Sequence, residues 1–199
     1  MHEALTLLLA YLIGSIPITW LIFYWRTGKD IRTVGDRNVG SGNAIREGAG
    51  WFWGHCALLL DTGKGLLAVS IARWLDLDVG WWVGAGFVVM IGHMFPVWLR
   101  FDGGRSAATG MGAAGAFMPW QFCFTFVAGG IAFLTTRNAQ FGILLVAAPL
   151  PFLAIAFDLP LEAIAFCFAA PVTAGLKAAL DRWQRARAGL LAPASTPDP

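Results

Sequence analysis

Seven apolar runs, at roughly 4–25, 51–73, 81–99, 107–118, 120–135, 140–157 and 160–176, take up most of this chain of 199 residues. A helix needs about 20 such residues to cross the hydrocarbon of a bilayer. Hydrophobic residues make up 57% of the sequence and charged residues 13%, with a mean hydropathy of +0.64. A soluble enzyme is thereby excluded. The expected fold is an all-α integral membrane protein of about seven transmembrane helices. Its single multi-span domain covers 1–187, and an Ala/Pro/Ser/Thr-rich tail over 188–199 is expected to be disordered. The first run has no basic n-region and no A-x-A site, so it is expected to be a retained span rather than a signal peptide.

The fourth run is the short one. Ala107 to Met118 would rise only about 18 Å at 1.5 Å per residue, so 107–135 is either two spans or a re-entrant hairpin broken near Pro119. Charge bias favours placing the N-terminus outside and the C-terminus in the cytoplasm. All fourteen Lys and Arg residues except Lys64 and Arg73 then fall inside, Arg137 and the stretch from Lys177 to Arg187 among them. Trp25, Trp51, Trp74, Trp98 and Trp120 stand near span ends, as an interfacial belt requires. Cys56, Cys123 and Cys167 lie singly in apolar runs, without C-x-x-C spacing, and are read as packing residues. No metal site and no cofactor are expected.

In a chain so poor in charge, three basic-polar segments carry the chemistry. The loop from Lys29 to Arg46 interleaves Gly35, Gly40 and Gly42 with Asn38 and Asn43 and with Arg32, Arg37 and Arg46, a pattern suited to wrapping an anion in backbone and side-chain donors. Asp61 and Lys64 are three apart within a span, so they share a helix face and can pair. Charges at membrane depth are costly, which makes them functional candidates, with a structural ion pair as the alternative. The stretch Gly92 to Gly110 sets His93 and an aromatic run ahead of Gly103-Gly104-Arg105-Ser106, at the start of a Gly/Ala-rich helix. Two glycines free to adopt positive φ, a guanidinium and a helix N-terminus suit a phosphate. His55 has no evident partner and is read as packing.

At these segments the chain resembles the bacterial acyl-phosphate:glycerol-3-phosphate acyltransferases, the PlsY family of seven-span inner-membrane enzymes. The family's GSIP stands at Gly14-Ser15-Ile16-Pro17, and its VGSGNxGxTNxxR corresponds to Val34 through Arg46. LLLDxxKG matches Leu58 to Gly65 in full, and GHxFPVFLxFxGGKGVAT corresponds to Gly92 through Thr109. The likeness is specific over about 14–110 and rests on span pattern beyond. It implies transfer of a fatty acyl group from acyl phosphate to the 1-hydroxyl of glycerol 3-phosphate, giving lysophosphatidic acid for phospholipid synthesis, without metal or acyl-CoA.

Carried over by position, the resemblance implies Arg46, Lys64, His93 and Arg105 as catalytic residues. It implies Gly35, Asp36, Arg37, Asn38, Gly40, Ser41, Asn43, Gly103, Gly104, Ser106 and Thr109 as substrate-binding. A monomer in the bacterial cell membrane is expected, its active site facing the cytoplasm, with membrane lipid as its surroundings and no nucleic-acid partner. The departures are Asp36 for the motif serine, Arg37 for glycine, Gly42 for threonine, Arg105 for lysine and Ser106 for glycine. An acid beside a phosphate site repels it unless paired, with Arg37 or Arg46 as the available partners. The family's C-terminal HRxNIxRLL is missing, although Leu176 to Gly189 keeps its basic charge. A diverged member that binds a phosphorylated substrate without acyl transfer, and a small transporter of a phosphorylated solute, are the competing readings.

Overall fold

The computed structural model describes residues 2–136 and 139–189. Arg137 and the tail beyond Gly189 therefore lie outside the described residues. The regular secondary structure of the described residues is helical, and four helices are long and apolar enough to cross a membrane: His2–Thr27, Trp51–Trp74, Val79–Leu99 and Leu161–Arg187. The first is broken into α1 (His2–Ser15) and α2 (Ile18–Thr27). Pro17 has no N–H to continue the helix and biases Ile16 away from helical dihedrals, so the apolar run is interrupted inside the membrane.

A short helix α3 (Ser41–Ala44) ends the polar loop and leads through a wide turn, Ile45–Ala49, into α4 (Trp51–Trp74). α5 (Val79–Met94) returns antiparallel to it, and α6 (Ala107–Phe117) follows the second polar loop. From Thr109 to Phe117 every residue of α6 is buried. This is possible because α6 packs backbone to backbone against α4. A Cβ added at Gly65 would stand 1.9 Å from the Thr109 carbonyl oxygen, and one at Gly112 would stand 1.9 Å from that of Thr62. Small residues at such crossings replace the hydrophobic driving force that lipid does not supply.

The run 107–135 is two helices, since Met118 (φ −139°, ψ 67°) leaves helical geometry and Pro119 opens α7 (Pro119–Thr136). The sixth run also divides, into α8 (Ala139–Ala147) and α9 (Leu150–Ala156), with Pro149 and Pro151 at the break. The last helix, α10 (Leu161–Arg187), runs well past the apolar segment ending near 176, and its polar end reaches the loops between α2 and α4. At the other end of α4, Arg73 donates to the Ala116 carbonyl oxygen at the C-terminus of α6 and lies 5.2 Å from the Trp82 ring. Of the cysteines, Cys167 is a buried packing residue, whereas Cys123 is exposed on the outer surface of α7. The expectation that all of them pack in the interior fails at Cys123 because α7 buries only a narrow stripe: Phe122, Thr125 and Gly129.

Candidate active site

Three polar segments meet at one end of the α4, α5 and α6 bundle. The loop of residues 28–50 is organised around Asn43, which is 1% exposed. Its Nδ2 donates to the carbonyl oxygens of Val34 and Asn38, both at 3.2 Å, and its Oδ1 accepts from the Asp36 N–H at 3.2 Å. Gly35 sits at φ +57°, and a Cβ there would stand 2.3 Å from that same Oδ1. Asn43 and Gly35 thus shape the loop from within, and Asn43 has its amide fully engaged. Outside the membrane segments, the Arg32 side chain hydrogen-bonded to Asp30 holds the Asp30 carboxyl below the usual aspartate value.

The second loop is tied to the end of α5 by backbone bonds from Gly103 N–H to the Met94 carbonyl and from Gly104 N–H to that of His93, at 3.2 and 3.1 Å. Gly103 and Gly104 do not supply positive φ, contrary to the sequence expectation; Arg100, Phe101 and Ser106 do. Their lack of a side chain serves close approach instead. A Cβ on Gly104 would stand 2.3 Å from His93 Nε2, and one on Gly103 2.3 Å from the His93 carbonyl oxygen.

Between the two loops lies a cavity of about 130 Å³ lined by Asn38, Ser41, Asp61, His93, Arg105 and Ser106, with Gly40 and Gly42 in its wall. Ala107 and Ala108, the first residues of α6, complete it. Their first-turn N–H groups have no preceding carbonyl to take them up and carry the positive end of the helix dipole. Around the cavity, Asn38 Oδ1, Arg105 Nε, Ser106 Oγ and Asp181 Oδ2 are buried without a hydrogen-bond partner among the described residues. Buried polar atoms are ordinarily satisfied, so this concentration marks a place built for a polar guest. Leu58, Met111 and Ile143 connect the cavity to an apolar groove of about 270 Å³ between α4, α7 and α8, where His55 lies tilted against both rings of a stacked Trp51–Phe133 pair. His55 is therefore a groove wall, with its Nδ1 2.7 Å from the Trp51 carbonyl. A second apolar groove of about 260 Å³ shares Ala107, Met111 and Ile143 with the cavity and runs toward α9 and α10.

The charged residues divide into two groups. Lys64 Nζ has three oxygen neighbours, Asp61 Oδ1 at 2.9 Å and the Gly14 and Ile16 carbonyls at 3.0 Å each, the latter freed by the α1–α2 break. Asp61 Oδ2 accepts from Thr19 Oγ1 at 2.6 Å, and its Oδ1 is 3.7 Å from His93 Nδ1. At the rim, Asp36 Oδ2 meets Arg105 at 3.2 Å and Arg46 at 3.3 Å. The partners of Asp36 are thus Arg46 and Arg105, whereas Arg37 lends only its backbone carbonyl, which accepts from Arg185 at 3.2 Å. Thr109 is fully buried against α4 and does not line the cavity. The sequence reading missed three residues here: Lys177 pairs with Asp181, Asp181 Oδ2 stands 3.9 Å from Arg105 Nε, and Arg185 donates to the Asp36 carbonyl. Their spacing, four apart on a helix extended past the membrane, was the available signal.

The fold and site define a helical integral membrane protein with a polar cavity, Arg105 in its wall, opening onto two apolar grooves. The glycerol-3-phosphate acyltransferase family model matches residues 4–184. A glycerol-3-phosphate acyltransferase of Dehalococcoides mccartyi is 34% identical over 178 residues, covering 86% of this chain and 92% of that protein. One from Endomicrobium trichonymphae is 33% identical over 167 residues, covering 84% and 83%. The crystal structure of PlsY, an integral membrane glycerol 3-phosphate acyltransferase, in its glycerol 3-phosphate form superposes with a TM-score of 0.76 at 25% identity, covering 98% of this chain and 97% of that one. Its lysophosphatidic acid form superposes at 0.73 and 22% identity. This chain belongs to the glycerol-3-phosphate acyltransferase family.

Proposed function

We propose that the protein is a membrane acyltransferase that moves a fatty acyl group from acyl phosphate to the 1-hydroxyl of glycerol 3-phosphate, giving lysophosphatidic acid. The observation that carries this reading is the junction of an anion-type cavity with apolar grooves at Met111 and Ile143. Such a junction places the carbonyl carbon of a lipid-chain donor beside a phosphate-bearing acceptor, and orientation is a large part of what acyl transfer needs. The acceptor oxygen attacks the acyl carbonyl carbon, the C–O bond to phosphate breaks, and inorganic phosphate leaves with the electron pair. The hydroxyl proton passes to a substrate phosphate oxygen.

Arg105, Arg46 and the α6 N-terminus stabilise phosphate and developing oxyanion charge. His93 lines the cavity and donates to a substrate oxygen, and Asn38, Ser41 and Ser106 orient the acceptor. Asn43, Gly35, Gly103 and Gly104 act as positioning residues through the loops they shape. Lys64, enclosed by three oxygens, acts through Asp61 on His93 rather than on phosphate. The reading includes seven crossings with the N-terminus outside and the site facing the cytoplasm, supported by the bias of Lys and Arg in the sequence, in a protein acting as a monomer in the bacterial membrane; cysteine-accessibility labelling at either end tests that topology.

Purified protein in lipid, given palmitoyl phosphate and glycerol 3-phosphate or palmitoyl-CoA and glycerol 3-phosphate, tests the reaction. Lysophosphatidic acid from the phosphate donor alone, lost in Arg105→Ala, is the expected result. Product from neither donor overturns the reading.

A further inference from the structure

Asp36 stands where a serine is expected, in the middle of the arginines assigned to phosphate. Its Oδ2 bridges Arg46 and Arg105, its Oδ1 accepts from the Asn38 N–H at 3.2 Å, and its backbone carbonyl accepts from Arg185. On the other side Arg105 Nε faces Asp181, itself paired with Lys177. A carboxylate between two guanidiniums has the charge sign and planar acceptor geometry of a bound phosphate. The side chains of Asp36 and Arg46 are 37% and 57% exposed, so the pair is open to exchange with a solute anion rather than locked by burial.

We propose that Asp36 is an internal competitor for the phosphate fork, a carboxylate that keeps Arg46 and Arg105 together and that the substrate phosphate must displace. The inference rests on the assignment of these arginines to phosphate made above. Two consequences follow from one residue. Removing the charge tightens phosphate binding, because nothing of the protein's own has to be displaced and the repulsion between carboxylate and phosphate disappears. The same change loosens the protein without phosphate, because Arg46 and Arg105 then face each other with no anion between them. A purely structural salt bridge would give the second effect but weaken phosphate binding along with it. The competition also reaches α10, since Arg185 holds the carbonyls of residues 36 and 37. A phosphate that displaces Asp36 therefore pulls on the contact between this loop and the last helix.

The test is isothermal titration of inorganic phosphate into the full chain in nanodiscs, with thermal unfolding of the same samples, for the parent, Asp36→Asn and Asp36→Ser. At least a tenfold lower Kd for phosphate in both variants is expected, with a lower phosphate-free midpoint and a larger phosphate-induced rise than in the parent. The serine variant carries the test alone should the asparagine variant fail to fold. Equal or weaker phosphate binding in the variants, or phosphate binding by none of the proteins, overturns the inference. Because the readout is binding, the two failures separate: tighter phosphate binding without acyl transfer in any protein leaves the competition standing and removes the acyltransferase reading.

Discussion

Two acid–base clusters border the same cavity, and burial separates their behaviour. In the Asp61–Lys64–His93 cluster the side chains are 3%, 4% and 8% exposed, and Lys64 is surrounded by oxygens supplied by the protein. In the Asp36–Arg46–Arg105 cluster exposure ranges from 22% to 57%, and Arg105 Nε has no hydrogen-bond partner among the described residues. Taken out of water, a charge must be satisfied inside the fold, and the resulting clamp holds the broken first helix to α4 and α5. Left at the rim, a charge pair gains little and exchanges readily. On the proposed reading, the first cluster frames the site and presents His93 to it, and the second meets the phosphate.

Removing one member of the buried cluster should have the largest effect. Lys64→Met leaves Asp61 uncompensated in the membrane, and about 3–5 kcal/mol of stability should be lost, as for other broken buried pairs. Thermal unfolding in detergent reads this, and Asp61→Asn combined with Lys64→Met should recover part of it; no recovery would mean the pair is not the clamp described. At the rim the balance inverts. Arg105→Ala should lower kcat/KM by about a hundredfold to a thousandfold, the scale for one lost oxyanion donor, while the unfolding midpoint stays near that of the parent. An inactive Arg105→Ala that is also as unstable as Lys64→Met would erase the distinction between the clusters.

Gly112→Ala probes the scaffold beneath both. Its Cβ would meet the Thr62 carbonyl oxygen at 1.9 Å, so the α4–α6 crossing must open, at a cost of about 1–3 kcal/mol. The smallest effect belongs to Asp30. Its carboxyl is held below the usual value by Arg32, so the stability it contributes is complete above the unfolded aspartate value and is lost as pH falls through the lower folded one. Asp30→Asn should cost under about 1 kcal/mol at neutral pH and make the midpoint less sensitive to acid below about pH 4. A pH response unchanged by the substitution would remove Asp30 from the account.

Much of this site was legible in the chain. The three spacing signals, loop 29–46, Asp61 with Lys64, and Gly92 to Thr109, converge on one cavity, and the Asp61–Lys64 pairing follows from helical spacing alone. What failed did so for physical reasons. Gly103 and Gly104 were read as turn residues because glycine most often relieves φ, whereas here it admits His93 into contact with the backbone. The further enclosure of Lys64 by two carbonyls was not legible, because the break at Pro17 exposes acceptors that no composition reveals. Asp181 and Arg185 were passed over because they reach the site through contacts distant in sequence, Asp181 to Arg105 and Arg185 to a carbonyl 149 residues earlier.

The sequence by itself determined that the chain is helical and membrane-embedded, and which three segments carry its charge. Hydrophobicity and helical period are local properties, and charge is too scarce here to be placed without consequence. Only the tertiary structure decided which of those charges are consumed by the fold and which stay open to a ligand. That choice depends on which carbonyls, helix ends and carboxylates lie within hydrogen-bond reach, and bond partners far apart in the chain are set by packing rather than by pattern.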